Sequence, residues 1–346
     1  MNQPFFSICI AAYNAERYID KCLRSISVQN YRNFEVVIVD DGSVEPLSLD
    51  DSVRVGLPSC TLVRIVNSGP YAARQAAFDV ARGEVVLCVD ADDSLLDPLA
   101  LTKIRRAFAD GNPDVVLFNA SSSDRAPSCL YDFSTLGRGG AVADGAVFNL
   151  FTRSFSLNSL WCKAFKRALY HKGEKPRPRL LMAEDRLQSL EIMGNAHSYW
   201  LIDEPLYFYR PNPESTTNAG FNPEYYRQAC YVEEEVIAFM QKRNMKIDSW
   251  SRYFLQYTSR ALLGIRYNRS LDGAERRLAY VDVRGEKSLA IAENNYEIGS
   301  LPGIDRVRLS LLRKGSFLAL DLSMLPWRIG SDIKRIVVKL CHMLRK

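Results

Sequence analysis

Along the first third of the chain, apolar runs that end in polar residues alternate with helical periodicity. The runs have the length and β-branched content of buried strands, and they span residues 6–13, 36–39, 61–66, 85–89 and 115–119. Apolar residues three and four positions apart predict a helix at 15–29 with Asn14 as its N-cap, and further helices are predicted at 71–82 and 97–109. Strands that alternate with helices predict an α/β fold with a doubly wound, mainly parallel sheet.

The pattern changes in the second part of the chain. Residues 120–149 are rich in Ser and Gly and are predicted to be irregular, with an edge strand among them as the alternative. Residues 157–170 are predicted to form a short helix. A helix at 182–193 and short strands at 199–202 and 206–209 follow. From residue 224 on, helical segments dominate. We therefore predict two domains: the sheet domain at residues 1–219, and a helical C-terminal region at residues 220–346.

Composition indicates an ordinary globular protein. The 346 residues are 47% hydrophobic and 25% charged, without a predicted signal peptide or an apolar stretch long enough to cross a membrane. The eight cysteines lack CxxC spacing, which predicts reduced thiols, a cytoplasmic setting and no structural zinc site.

The net charge of +5 is unevenly distributed. Residues 301–346 contain ten Lys or Arg and three Asp or Glu, whereas the preceding 300 residues contain 35 basic and 37 acidic residues. Residues 327–346 place apolar side chains on one face of a basic helix that begins at Trp327. This pattern predicts peripheral binding to an anionic membrane surface; a helix docked on the domain is the alternative. Because the folded domain carries no such excess, no nucleic-acid partner is predicted.

The candidate chemistry begins where the apolar run 85–89 ends in Asp90, Asp92 and Asp93. Three carboxylates at the mouth of a buried strand repel one another unless a cation compensates them. Hard ions such as Mg²⁺ or Mn²⁺ prefer oxygen ligands, so this turn is a candidate metal site; an acidic turn that caps the next helix is the alternative. Glycine-rich dinucleotide and P-loop motifs are absent from the sequence.

Several motifs in order resemble family 2 glycosyltransferases, which have the GT-A fold. The resemblance covers about residues 6–218, and its motifs are Ser7-Ile-Cys-Ile-Ala-Ala-Tyr-Asn14, Val39-Asp-Asp-Gly-Ser43, residues 67–74, Val89-Asp-Ala-Asp-Asp93, Trp161-Cys-Lys-Ala-Phe-Lys-Arg167, Ala183-Glu-Asp-Arg-Leu187 and Tyr207-Phe-Tyr-Arg210. Two positions depart from the family pattern: Ala11 replaces the usual Pro, and Gln75 replaces the usual Asn. Neither change removes a charged group.

The resemblance implies transfer of a sugar from a nucleotide-diphosphate donor to an acceptor hydroxyl, with inversion at the anomeric carbon. It implies a Mg²⁺ or Mn²⁺ ion on Asp92 and Asp93. It also implies Asp185 as the general base. The alternative is a structural role, because the helix dipole also stabilises paired acids at the start of a helix. The implied donor-binding residues are Ala12, Tyr13, Asp41, Arg74, Asp90 and Arg210.

Trp161 and Lys163 are candidates for the acceptor cleft, with a core position as the alternative for Trp161. The predicted function is a metal-dependent inverting glycosyltransferase of cell-surface polysaccharide assembly. It would lie on the inner face of the membrane and use a saccharide or a lipid-linked saccharide as acceptor. Two alternatives remain at this point: a polyprenyl-phosphate glycosyltransferase of the same fold, and a catalytically silent sugar-nucleotide-binding scaffold.

Overall fold

The computed structural model describes residues 3–170, 177–212 and 221–325. The chain divides into two compact units, residues 1–213 and 214–346. The predicted boundary between residues 219 and 220 lies outside the described residues, so the division at that point stays a prediction.

The first unit alternates strands and helices. Its elements in chain order are β1 (Phe6–Ala12), α1 (Ile19–Ser27), β2 (Phe34–Asp40), α2 (Asp51–Val55), β3 (Cys60–Arg64), α3 (Pro70–Val80), β4 (Val85–Cys88), β5 (Ser94–Leu95), α4 (Ala100–Gly111), β6 (Val115–Ser121), β7 (Gly140–Val142), α5 (Asp144–Arg153), β8 (Lys163–Lys166), α6 (Glu184–Gly194) and β9 (Tyr199–Phe208). Every residue of β2, β4 and β6 is buried. Burial of whole strands explains why the sequence shows continuous apolar runs there instead of alternation.

The described strands form one sheet with the order β3-β2-β1-β4-β8-β6-β9-β5, and β7 also pairs with β9. β1 runs parallel to β2 and β4, β2 parallel to β3, and β6 parallel to β9. β8 lies antiparallel between β4 and β6. The α/β fold with parallel strands is therefore confirmed. The carboxyl ends of β1, β2 and β4 share one edge, where ligands bind in open α/β sheets.

The helix predicted at 157–170 is wrong. That segment contains β8, flanked by 3-10 turns at Leu160–Cys162 and Arg167–Leu169. A short apolar run cannot be assigned to helix or strand by periodicity alone. Here the strand forms because its backbone pairs with β4 on one side and β6 on the other.

The two short strands predicted at 199–202 and 206–209 are one continuous strand, β9. Its register with β6 is irregular around Asn119, which pairs with Pro205. Proline lacks a backbone N–H, and strands tolerate it at irregularities of this kind. The proline therefore marks an irregularity and does not end the strand.

Asn14 does not cap the first helix, so that prediction is also wrong. Helix α1 begins at Ile19, and Asn14 adopts φ +49°, a left-handed conformation that Asn tolerates better than most residues. Its backbone N–H donates to Ser43 Oγ at 2.9 Å, and its Oδ1 accepts from the Val44 N–H at 3.0 Å. Asn14 thus joins the end of β1 to the turn after β2.

The second unit is helical wherever the structure describes it. Its helices are α7 (Pro223–Lys242), α8 (Asp248–Tyr267), α9 (Gly273–Gly285), α10 (Lys287–Asn295), α11 (Gly303–Arg313) and α12 (Phe317–Ser323). In its core, Trp250 stacks on Phe254 and donates from Nε1 to Glu233 Oε2 at 2.7 Å. Among the described helices, none combines the length and the apolar character needed to span a bilayer.

Candidate active site

The turn that follows β4 is built around buried Asp93, which is 3% exposed. Its Oδ2 accepts from the Tyr207 hydroxyl at 2.8 Å, and its Oδ1 accepts from the Arg210 backbone N–H at 2.8 Å. The same Tyr207 hydroxyl accepts from the Asp90 N–H at 3.0 Å. Strand β9 and the residues after it therefore fix the conformation of this turn. Both oxygens of Asp93 already have protein donors, which suits a supporting position better than direct metal contact.

Asp92 lies at the surface of the turn and is paired with Arg210. The Arg210 Nη2 is 2.7 Å from Asp92 Oδ2, and its Nε donates to the Asp92 carbonyl at 3.1 Å. The guanidinium also lies 4.1 Å from the centroid of the Tyr18 ring. The structure thus brings together Arg210, Asp92 and Asp93, three of the predicted site residues.

A second group of predicted residues meets at Arg74, which α3 positions and which is only 6% exposed. Its Nη1 is 2.5 Å from Asp185 Oδ1 and 3.5 Å from Glu184 Oε1, and its Nη2 is 3.3 Å from Asp90 Oδ1. The Asp185 contact is an ion pair that lacks hydrogen-bond alignment. Gln188 Oε1 accepts from Nη1 at 3.3 Å. One buried guanidinium therefore faces three carboxylates from two separate parts of the chain.

These surroundings change the acidity of the carboxyl groups. Burial, assisted by the charges of Asp185 and Asp92, raises the pKa of Asp90 to about 6 against the opposing effect of Arg74. Burial, assisted by Glu184, likewise raises the pKa of Asp185 to about 6. Burial and the charge of Asp90 raise the pKa of Asp93 to about 8. Burial is the main cause of all three shifts, and neighbouring carboxylates add to it.

Asp41 follows β2 and holds the loop that leads into α3. Its Oδ1 accepts from the Ser68 N–H at 2.7 Å, and its Oδ2 accepts from the Gly69 N–H at 2.9 Å. Gly42 adopts φ +68°, and a Cβ there would lie 2.6 Å from the Asn67 backbone nitrogen. The close approach of these loops requires glycine. The described contacts of Asp41 are thus with the protein backbone.

The other predicted donor-binding residues lie at the end of β1. Ala12 is 2% exposed, and its carbonyl accepts from the Asp41 N–H at 2.8 Å. The next side chain, Tyr13, is 53% exposed. An exposed tyrosine beside the Asp41 turn offers an aromatic face to a ligand, whereas Ala12 can contribute only backbone.

Neither Trp161 nor Lys163 presents a surface to an acceptor, so their assignment to an open cleft is wrong. Trp161 is 5% exposed and stacks on Tyr207 with ring centroids 4.7 Å apart. Lys163 is fully buried. Trp161 is a core residue, which was the alternative for it.

Sequence reasoning missed Tyr207 and Gln188, which orient Asp93 and Arg74. Tyr207 lies in the Tyr207-Phe-Tyr-Arg210 motif, near the end of β9, but its hydroxyl contacts depend on the pairing of distant segments. Gln188 lies one turn after Glu184 on α6, so i,i+4 spacing was the available signal.

The donor chemistry of the turn fits a divalent cation. Asp90 and Asp92 offer carboxylate oxygens whose side chains are 31% and 35% exposed, and such hard oxygen ligands suit Mg²⁺ or Mn²⁺. Within the described ranges, no three His, Cys, Asp or Glu side chains form a metal-binding group. A bound ion would therefore take its remaining ligands from water or from a ligand's phosphates, as Mg²⁺ usually does.

Comparison with known proteins identifies the family that the chain resembles. Residues 7–128 match the family model "Glycosyl transferase family 2". The matched segment is a family 2 glycosyltransferase domain. The putative glycosyltransferase EpsH of Bacillus subtilis is 28% identical over 257 residues, which cover 70% of this chain and 71% of EpsH. The poly(ribitol-phosphate) beta-N-acetylglucosaminyltransferase TarS of Staphylococcus aureus is 27% identical over 241 residues, which cover 67% of this chain and 40% of TarS.

The solved structures show the same fold. The crystal structure of residues 1–349 of S. aureus TarS in complex with UDP-GlcNAc has a TM-score of 0.65 at 19% identity, and the match covers 92% of this chain and 90% of that one. The complex of TarS with UDP gives a TM-score of 0.66. The glycosyltransferase predicted from the ordered motifs is therefore confirmed at the level of family and fold.

Proposed function

We propose that the protein is an inverting glycosyltransferase that moves a sugar from a nucleotide-diphosphate donor to an acceptor hydroxyl in cell-surface polysaccharide assembly. The observation that carries this proposal is the group of Arg74, Asp90 and Asp185 at the carboxyl end of β4. It joins a buried cation to a carboxylate whose pKa of about 6 leaves it ionised at neutral pH and still basic.

In the proposed reaction, Asp185 accepts the proton of the acceptor hydroxyl as the oxygen attacks the anomeric carbon. The bond between that carbon and the diphosphate oxygen breaks, and its electron pair leaves with the nucleoside diphosphate. Attack opposite the leaving group inverts the anomeric centre. Arg74 and Arg210 are the cations of this edge that would face the diphosphate, and Tyr13 and Asp41 would border the nucleoside.

Asp92 would hold a Mg²⁺ or Mn²⁺ ion together with the donor diphosphate, and Asp90 would support it. Asp93 would position the turn through Tyr207 and Arg210. When bound, the ion stabilises the charge that develops on the departing diphosphate. For Asp92 to bind it, Arg210 must leave the contact of 2.7 Å that it makes with this carboxylate.

A uridine nucleotide is the proposed donor type, because structures of the similarly folded TarS contain UDP-GlcNAc and UDP. Thermal unfolding in the presence of UDP-, GDP- and TDP-sugars tests this choice, each with Mg²⁺, Mn²⁺ or EDTA. A ligand at 100 times its dissociation constant stabilises the folded state by about 2.7 kcal/mol. We expect stabilisation by UDP-sugars with a divalent ion, and its absence for all nucleotides would contradict the proposal.

Turnover separates this function from its alternatives. A polyprenyl-phosphate glycosyltransferase attacks with a phosphate oxygen that needs no deprotonation, so it would keep its rate without Asp185. A silent scaffold would bind the nucleotide sugar without cleaving it, so it would release no nucleoside diphosphate. Release of UDP that depends on Asp185 is the result expected of the proposed enzyme.

The membrane and location parts of the proposal depend on residues 327–346, which lie outside the described residues. The acceptor is proposed to be a saccharide or lipid-linked saccharide at the inner face of the membrane, with the basic tail on anionic lipid. Each basic residue near such a surface contributes about 1 kcal/mol. Truncation before Pro326 is therefore expected to release the protein from anionic vesicles while nucleotide binding persists. Vesicle sedimentation at low and high salt measures this, and full-length protein that ignores the vesicles would overturn it.

A further inference from the structure

Lys163 is a fully buried lysine at the start of β8. The next residue, Ala164, pairs with Leu87 of β4, and Lys163 itself pairs with Leu117 of β6. Because β8 runs antiparallel to both strands, its first residue lies at their carboxyl ends. Lys163 therefore sits at the same edge of the sheet as Asp90, beneath the site and out of contact with solvent.

The ammonium group of Lys163 is bound by backbone carbonyls. Its Nζ donates to Leu157 O at 2.7 Å and to Ser159 O at 2.5 Å, and it lies 3.7 Å from Cys162 Sγ. No carboxylate among the described residues lies within ion-pair distance of it. Burial lowers the pKa of Lys163, and Cys162 and Asp185 oppose that fall, so the charge of Lys163 depends on these neighbours.

The loop that Lys163 holds is also bound by α6, the helix that begins with Glu184 and Asp185. Between the two carbonyls bound by Lys163, Asn158 accepts from Ser189 Oγ through its carbonyl at 2.6 Å. Its Oδ1 accepts from Arg186 Nη1 at 2.7 Å. Arg186 is 2% exposed and Ser189 is fully buried. Residues 157–159 thus connect Lys163 rigidly to the first two turns of α6.

Asp185 interacts with a second cation in addition to Arg74. Arg74 faces Asp185, Asp90 and Glu184 together. Lys163 is a further positive charge that acts on Asp185, and it opposes the rise of its pKa. Among the described residues, Cys88, Cys162 and Tyr131 also interact electrostatically with Asp185. Of these groups, only Arg74 and Lys163 favour the ionised carboxylate.

We propose that Lys163 is a positioning residue for Asp185: it anchors the loop that holds the start of α6, and its charge keeps the Asp185 carboxylate ionised. This inference rests on the proposed role of Asp185 as general base. It assigns Lys163 a function behind the reacting groups, without contact to donor or acceptor.

The first test is the pH dependence of thermal unfolding, which needs no ligand. The variants are Lys163→Met, Asp185→Asn and the double variant, with Lys166→Met as the matched control. Lys166 lies on the same strand and is bound to Asn112 O and Asp114, away from the site. The two single variants and the double variant form a double-mutant cycle. It separates the coupling between Lys163 and Asp185 in unfolding free energy from the effect of each change alone.

The expected sign follows from the raised pKa of Asp185. A carboxyl whose pKa is higher in the folded state stabilises the fold at low pH, and this contribution is lost as the pH rises from about 4 to about 6. Without Lys163 we expect the pKa of Asp185 in the folded state to rise further, so that the loss of stability extends to a pH about one unit higher. An opposite charge nearby shifts the pKa of a carboxyl by about one to three units, and this expectation takes the low end of that range. The extension should vanish in the Asp185→Asn background and be absent from Lys166→Met. An equal change in both backgrounds, or no change, would overturn the proposal.

Turnover provides the second test, measured as UDP release from UDP-GlcNAc with water as acceptor. Lys163→Met should lower kcat by about 10- to 100-fold, the cost of a misplaced group, and leave the nucleotide affinity unchanged. In the pH profile of kcat, the acidic limb, where activity falls as Asp185 is protonated, should move to higher pH. If Lys163→Met does not fold, Ser189→Ala releases the Asn158 carbonyl and should lower kcat without moving the limb. Full activity of Ser189→Ala would contradict the anchoring role.

The two proposals fail in different ways. If Asp185→Asn turns over like the wild type, the proposed function fails whatever Lys163 does. If Asp185→Asn is inactive while Lys163→Met keeps the wild-type pH profile in both assays, the inference about Lys163 alone is wrong.

Discussion

Two acidic turns lie on either side of β1, and they differ in how their carboxylates are satisfied. In the turn after β2, Asp40 Oδ1 accepts from the Ser43 N–H at 2.9 Å, and Oδ2 accepts from the Leu47 N–H at 3.1 Å and from Arg64 Nη1 at 2.8 Å. Burial opposes ionisation of Asp40, but the Ser43 side chain and these donors outweigh it and lower the pKa of Asp40. The turn is electrostatically complete without a ligand.

In the turn after β4, the carboxylates raise one another's pKa. Burial and neighbouring charge raise the pKa of Asp90 to about 6 and that of Asp93 to about 8. The sequences of the two turns are similar, Val-Asp-Asp-Gly-Ser and Val-Asp-Ala-Asp-Asp. The two turns therefore differ in the donors supplied to each carboxylate: Asp40 accepts from three donors, whereas Asp90 and Asp92 each pair with one arginine.

The largest expected effect is a loss of turnover, and it concerns Asp185, at the start of α6 and close to the turn after β4. Asp185→Asn should lower kcat by about 10²–10⁴-fold, the usual contribution of a positioned general base, and leave nucleotide affinity unchanged. Kinetics of UDP release together with calorimetric titration of UDP measure both quantities. A variant with more than about a tenth of wild-type turnover would show that Asp185 is only a helix-start acid.

Asp92→Asn tests whether the second turn needs a cation. We expect the metal-dependent affinity for a uridine nucleotide to fall about 10- to 100-fold, comparable with losses measured at metal sites. The fold should remain intact, because Asp92 lies at the surface of the turn. Titrations of wild type and variant with Mg²⁺ and with EDTA make the comparison. If EDTA leaves the wild-type affinity unchanged, the turn is not a metal site.

The sequence predicts those parts of the fold and the site that depend on residues close together along the chain. The buried strands follow from local patterns, so the sheet was accessible. The ordered motifs named Arg74, Asp90 and Asp185 without predicting that one guanidinium faces both carboxylates. β8 was not accessible, because its conformation depends on pairing with two distant strands. The contacts of Lys163 with the 157–159 loop depend on that same strand. The buried cation was thus mistaken for a cleft residue.

Asp40→Asn is the counterpart of Asp92→Asn in the complete turn. Losing the charge weakens hydrogen bonds from three donors, and a bond to a charged group contributes about 1.5–3 kcal/mol, so we expect a loss of about 2 kcal/mol in unfolding free energy at pH 7. Because the pKa of Asp40 is lowered in the fold, this stabilisation is present above about pH 4 and disappears as the pH falls through the folded value. Urea unfolding from pH 8 to pH 3 measures it. A difference that persists unchanged at pH 3 would contradict the assignment.

The smallest expected effect is that of Ser43→Ala, in the same turn. Ser43 is 1% exposed, and its Oγ accepts from the Asn14 N–H. Removing it leaves this backbone donor without that partner and should reduce the unfolding free energy by about 1 kcal/mol. The backbone N–H of Ser43, which donates to Asp40, remains. The turn should therefore keep its shape, and nucleotide affinity with Mg²⁺ should match the wild type in calorimetric titration. A loss of affinity as large as that of Asp92→Asn would mean that the two turns act together on the ligand, and that the complete turn is part of the binding site after all.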